Sequence, residues 1–130
     1  MIGVGQEFPY FVKNGVDYVN AMCEVAYDDF NGWKVYYFYP KDFTFICPTE
    51  IKGMDMLTSE ATVVGFSGDN EFCKLAWKES NELIKHIQHT LACDSGLELS
   101  KTLGIYDKLN GVCYRAVSYT HLRAHETSSY

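Results

Sequence analysis

The chain has no run of eighteen apolar residues and no targeting segment, so no membrane-spanning helix is expected and the protein reads as soluble and cytoplasmic. It has no basic patch. With a net charge of −6 it lacks the electrostatic footprint of a nucleic-acid-binding protein. There is no Cys-x-x-Cys pair, which argues against a zinc ribbon and against a dithiol redox motif. Internal repeats, linkers and low-complexity stretches are also missing.

What is present is one small domain of 130 residues. Hydrophobic residues make up 47% and aromatic residues 15%, enough for a packed core. Five cysteines, at 23, 47, 73, 93 and 113, form an odd set that does not suit a secreted disulfide framework. Strand and helix signals alternate, which predicts an α/β domain. An N-terminal hairpin is expected within residues 2–30, strands over Trp33–Tyr39, Thr62–Ser67 and Thr90–Asp94, and helices over Cys47–Leu57, Glu71–Ser80 and Gly96–Leu103. Asn70 suits the N-cap of the second helix.

The most informative stretch runs from Phe38 to Ile51. Trp33–Tyr39 is nearly all apolar and aromatic, as a buried central strand should be. Pro40 ends it, since proline cannot donate to a ladder. Pro48 suits the first turn of a helix. Cys47 is therefore expected at a helix N-terminus, where free N–H groups and the helix dipole favour an anion. Such placement lowers a thiol's pKa from about 8.5 towards roughly 3.5–7.5, and the thiolate is the nucleophile. Thr44 brings a hydroxyl near the sulfur. A buried, inert packing cysteine is the alternative, because free cysteine is among the most buried residue types.

Pro40, Thr44 and Cys47 stand in the Pro-x3-Thr-x2-Cys spacing, and the fuller string from Phe38 to Glu50 resembles the active-site signature of typical two-cysteine peroxiredoxins, the branch that includes alkyl hydroperoxide reductase C subunits. Val63–Asp69, Phe72–Trp77 and Gly111–Ala116 resemble later segments of that family, so the likeness covers about residues 2–116. The resemblance implies a thioredoxin-like fold and a thiol peroxidase without metal or bound cofactor. Cys47 would attack a hydroperoxide and become a sulfenic acid. Thr44 would hydrogen-bond the peroxide, Pro40 would shield the pocket, Arg115 would stabilise developing charge, and Glu50 would orient Arg115. An ordinary first-turn acid remains an equal reading of Glu50. The implied partners are a hydroperoxide, a thioredoxin-like or flavoprotein disulfide reductase, and further copies of the chain, as a homodimer or ring of dimers. A non-enzymatic redox sensor or chaperone-like oligomer of the same fold is the alternative. A disulfide exchanger is disfavoured by the missing Cys-x-x-Cys.

The last residues do not continue that pattern. Val117-Ser-Tyr-Thr-His-Leu-Arg-Ala-His-Glu-Thr127 is identical to one reading frame of a common transposase library adapter. Residues 117–130 are accordingly read as non-native and excluded from the fold. On this reading residues 1–116 are a partial peroxiredoxin domain. The resolving cysteine and the strand after Arg115 are expected beyond the truncation, and the fragment is expected to fold poorly alone. His121 and His125, spaced as zinc ligands on a helix, lose that meaning in an adapter. His86 and His89, with Cys93 and Asp94 nearby, are expected on a solvated face rather than around a metal. Cys73 and Cys113 are expected to pack, while Cys23 and Cys93 remain open. The segment between Glu50 and Val63 is about one helical turn shorter than the family pattern.

Overall fold

The computed structural model of the chain describes residues 8–27, 32–43 and 47–120. Strands β1 (Val12–Val16) and β2 (Met22–Ala26) form the N-terminal hairpin. Its turn is held by the Asp17 carboxylate, which accepts from the N–H groups of Val19 and Ala21. Strand β3 (Lys34–Phe38) follows, then helix α1 (Cys47–Met54), which tightens into a 3-10 turn over Asp55–Ser59. Next come strand β4 (Thr62–Ser67) and helix α2 (Glu71–Ser80). Asn70 caps α2 by accepting from Cys73 N–H at 2.8 Å. Strand β5 (Thr90–Cys93) leads through a 3-10 turn into helix α3 (Glu98–Leu103). The small hairpin of β6 (Tyr106–Asp107) and β7 (Val112–Cys113) precedes strand β8 (Ala116–Thr120).

Six strands form one mixed sheet in the order β2-β1-β5-β4-β3-β8. Its centre is parallel: β3 pairs with β4, and β4 with β5. β1 and β8 flank that centre in antiparallel fashion. The sheet is covered on both faces, which explains why β3 carries almost no polar alternation. Tyr36 and Phe38 face a cluster with Phe8, Phe11, Tyr27, Phe66 and Leu99. Val35, Tyr37 and Tyr39 face the opposite cluster with Ile51, Trp77, Ile84 and Leu91.

Two expectations need correction. Ala116–Thr120 is a strand, paired antiparallel with β3 from Phe38↔Ala116 to Lys34↔Thr120. Residues excluded from the fold on the adapter argument thus take part in the sheet, whatever their origin. The physical reason is that an edge strand joins through backbone N–H and C=O groups, which any non-proline sequence supplies. His89 is the second correction. It lies buried on the β5 side, only 3% exposed, not on a solvated face. Burial is tolerated because both ring nitrogens are partnered, by Tyr37 hydroxyl at 2.6 Å and Asp55 carboxylate at 2.7 Å. His86 is exposed, Cys93 is buried, and Asp94 caps α3 by accepting from Leu99 N–H, Ser100 N–H and Ser100 hydroxyl. These four residues do not converge on a metal site.

Candidate active site

The C-terminal ends of the parallel strands gather the candidate residues, as open α/β sheets commonly do. Cys47 is the first residue of α1, directly before Pro48, so its backbone stands where the helix dipole favours an anion. Thr44 and the side chain of Cys47 lie outside the described residues. Glu50 is in the first turn of α1. Its carboxylate accepts from Arg115 Nε at 2.7 Å, across 65 residues of sequence. Both groups are partly open to solvent, with side-chain exposures of 47% for Arg115 and 38% for Glu50. A pair this exposed adds at most about 1 kcal/mol of stability. Its geometric effect is larger: it ties the guanidinium to the helix that begins with Cys47.

Pro40 and Arg115 line the same open cleft, of about 470 Å³, together with Lys41, Asp107, Asn110 and Tyr114. The β6–β7 hairpin forms one wall. Its turn is braced by Asp107, whose carboxylate accepts from the N–H groups of Leu109 and Asn110 and from Asn110 Nδ2. Arg115 follows that hairpin and precedes β8, so the last two strand segments set its position. Of the five candidates, then, Glu50 and Arg115 touch, Pro40 shares a cleft with Arg115, and Cys47 sits one turn before Glu50 on α1.

The other cysteines are disfavoured as thiolates. Burial pushes Cys93 up to about 12 and Cys113 up to about 11. Cys73 is pushed up to about 11 by desolvation and by the carboxylates of Asp42 and Asp69. Cys23 is raised by burial and by Asp17. Cys113 is a packing residue as expected, its thiol donating to the Tyr39 carbonyl at 3.1 Å.

Sequence reasoning missed a buried polar network beside the loop that leads to Cys47. The Asp42 carboxylate receives hydrogen bonds from Tyr39 hydroxyl at 2.7 Å, Ser67 hydroxyl at 2.9 Å and Lys74 Nζ at 3.2 Å. Lys74 Nζ also donates to the Ser67 hydroxyl. Both side chains of the ion pair have zero exposure. A signal was available: Lys74 and Lys78 share the buried face of α2 with Trp77, at spacings that place all three on one side. Lysines on an apolar helix face need buried partners. Asp42, Asp69 and Cys73 offer ligand atoms within 4.8 Å of one another. The ammonium of Lys74 already neutralises Asp42, so the cluster is not a convincing cation site.

Residues 4–119 match the model of the AhpC/TSA family. Alkyl hydroperoxide reductase C of Mycolicibacterium smegmatis is 32% identical over 89% of this chain and 68% of its own length. The protein of the same name from Mycobacterium tuberculosis is 37% identical over 81% of this chain and 63% of its own. The mitochondrial thioredoxin-dependent peroxide reductase of Mus musculus is 36% identical over 88% of this chain and 48% of its own. The chain thus spans from about half to two thirds of these relatives. Among solved structures, the reduced 2-Cys peroxiredoxin of Plasmodium vivax superposes with a TM-score of 0.87 at 29% identity, covering 99% of this chain and 83% of that one. Enterococcus faecalis AhpC gives a TM-score of 0.88 over all of this chain and 80% of its own, and at 24% identity it attests the fold alone. With its thioredoxin-like sheet and a cysteine opening α1 beside an arginine–glutamate pair, the chain belongs to the AhpC/TSA family, in the two-cysteine peroxiredoxin branch.

Proposed function

We propose that this chain carries the peroxide-reacting half of a thiol peroxidase, with Cys47 as the nucleophile. The thiolate attacks the terminal oxygen of a hydroperoxide and the O–O bond breaks. Sulfur is oxidised by two electrons to a sulfenic acid, and the departing alkoxide or hydroxide takes a proton from water to leave as alcohol or water. The observation that carries this reading is the Arg115–Glu50 contact, which brings a fixed cation to the helix that starts at Cys47. Arg115 stabilises both the thiolate and the charge that develops on the leaving oxygen. Pro40 walls the cleft and shields the pocket. Thr44 hydrogen-bonds the bound peroxide.

The sulfenic acid then needs a thiol. A resolving cysteine outside residues 1–116 would form the disulfide, and a thioredoxin-like or flavoprotein disulfide reductase would reduce it. Names among the relatives, such as thioredoxin-dependent peroxide reductase, support that class of reductant. Cys23, Cys73, Cys93 and Cys113 are free thiols, as suits a reducing, cytoplasmic setting. Assembly as a homodimer, and as a ring of dimers, belongs to the same reading. So does the adapter origin of residues 117–130, which predicts that the native frame leaves this sequence after Arg115.

The test is stopped-flow reaction of the chain with hydrogen peroxide, followed by trapping of sulfenic acid at Cys47. Wild type should react, Cys47→Ser should not, and Arg115→Met should lose about 10²-fold or more, the usual cost of one charge-stabilising donor. Sulfenylation that occurs but never turns over with a reductase would instead favour the sensor. An Arg115→Met rate within about threefold of wild type, far short of that cost, would remove Arg115 from the site.

A further inference from the structure

We propose that the buried Asp42–Lys74 ion pair is a positioning device for Cys47; the inference rests on the reading that Cys47 is the reactive thiol. Asp42 is the second residue after Pro40, inside the loop that delivers the chain to α1. Its polar groups are tied to several other elements. The carboxylate is held by Tyr39 at the end of β3, by Ser67 at the end of β4 and by Lys74 from α2. The N–H donates to the Asp69 carboxylate at 2.7 Å. The next residue, Phe43, adopts φ +57, a left-handed backbone that is costly for an aromatic residue. Its ring leans on Trp77 of α2, with centroids 6.0 Å apart. One loop turn is therefore fixed from three sides, while it holds a conformation it would not choose freely.

Stability alone is a poor account of this arrangement. A buried ion pair must offset the desolvation of two charges, and apolar residues of like volume often do as well or better. What the pair supplies is direction. Lys74 donates to both carboxylate oxygens, each at 3.2 Å, so the carboxylate plane is set as well as its position. Cys47 follows Phe43 by only four positions, so little chain separates the pinned turn from the start of α1. Misplacement of a reacting group by about 1 Å costs up to roughly 10²-fold in rate.

The test compares wild type, Lys74→Met, and the neutral double variant Asp42→Asn/Lys74→Met, each well below its own melting temperature. Cys47 is followed by peptide-resolved iodoacetamide labelling across pH, which needs no peroxide chemistry, and in parallel by its reaction with hydrogen peroxide. Amide exchange of residues 41–46 is compared with that of β3 and β4. The expected result is faster exchange in the loop with β3 and β4 still protected, an upward shift of the Cys47 labelling midpoint, and about a tenfold or greater loss in peroxide rate. The double variant guards against a Lys74→Met chain that does not fold: it should fold and show the same loop-confined loosening. Wild-type loop exchange and a Cys47 labelling profile unchanged in the double variant would overturn the proposal, as would loosening spread equally over β3 and β4. If wild-type Cys47 proves inert to peroxide, the functional reading fails, while labelling and exchange still decide the role of the pair.

Discussion

Gly65 of β4 lies beside Tyr37 of β3, and an added Cβ would run into the Tyr37 ring and hydroxyl. Its φ is ordinary, so the demand for glycine is steric. Gly65→Ala must push Tyr37 off its site, and Tyr37 is the residue whose hydroxyl bonds His89 at 2.6 Å. Two terms follow. Overpacking a filled core costs about 1–3 kcal/mol. Leaving the buried His89 nitrogen unpaired costs about 1–3 kcal/mol more. Alanine's lower entropy in the unfolded chain returns about 0.4–1 kcal/mol. The net loss is about 1–6 kcal/mol, a large share of the ~5–15 kcal/mol that holds such a domain together. Urea unfolding of wild type and Gly65→Ala, with matched m-values, measures it. The double variant Gly65→Ala/Tyr37→Leu should be less unstable than the two single losses summed, because the clash vanishes with the ring. A loss under about 1 kcal/mol for Gly65→Ala would refute the close-packing argument.

Three further outcomes are expected. With iodoacetamide near neutral pH, Cys47 should label first, because burial holds Cys93 near 12 and Cys73 and Cys113 near 11; equal labelling of any of these three would contradict that order. Burial depresses the His89 pKa below its ordinary 6.5, with the Asp55 contact opposing. The unfolded chain then takes up the proton first, so stability is full above 6.5 and falls as pH drops from there towards the folded value; melting temperature should fall through that window and flatten in His89→Gln. Finally, the 1–116 segment should lose the cooperative melt of the 130-residue chain, since all of β8 but Ala116 is gone and the β3 edge is bare; a sharp transition in 1–116 would sink this expectation.

Local chemistry explains which features were legible. The aromatic run before Pro40, the Pro48 helix start and the Asn70 cap each declare themselves within a few residues, and each stands where expected. The Arg115–Glu50 contact spans 65 positions, so only the family resemblance, not spacing, suggested it. The Asp42 network and the Tyr37–His89–Asp55 chain were not anticipated. Their members are scattered along the sequence, and although the buried face of α2 hinted at Lys74, nothing local pairs it with Asp42 or pairs Tyr37 with His89. β8 was missed for a different reason: arguments about where a sequence came from do not bear on whether its backbone can complete a ladder.

The register of β8 also has a consequence for how the protein is made. Lys34 faces Thr120, so one flank of the aromatic strand β3 is closed by residues some 86 positions later in the chain. During synthesis of this 130-residue chain β3 can pair with β4 early, but its other flank stays an open edge until residues 116–120 have left the ribosome. Through that interval the nascent chain presents a row of unpaired backbone groups between tyrosines and phenylalanines, the kind of edge that seeds aggregation. Chains stalled before residue 116 should therefore aggregate more readily than those stalled after residue 120 has emerged.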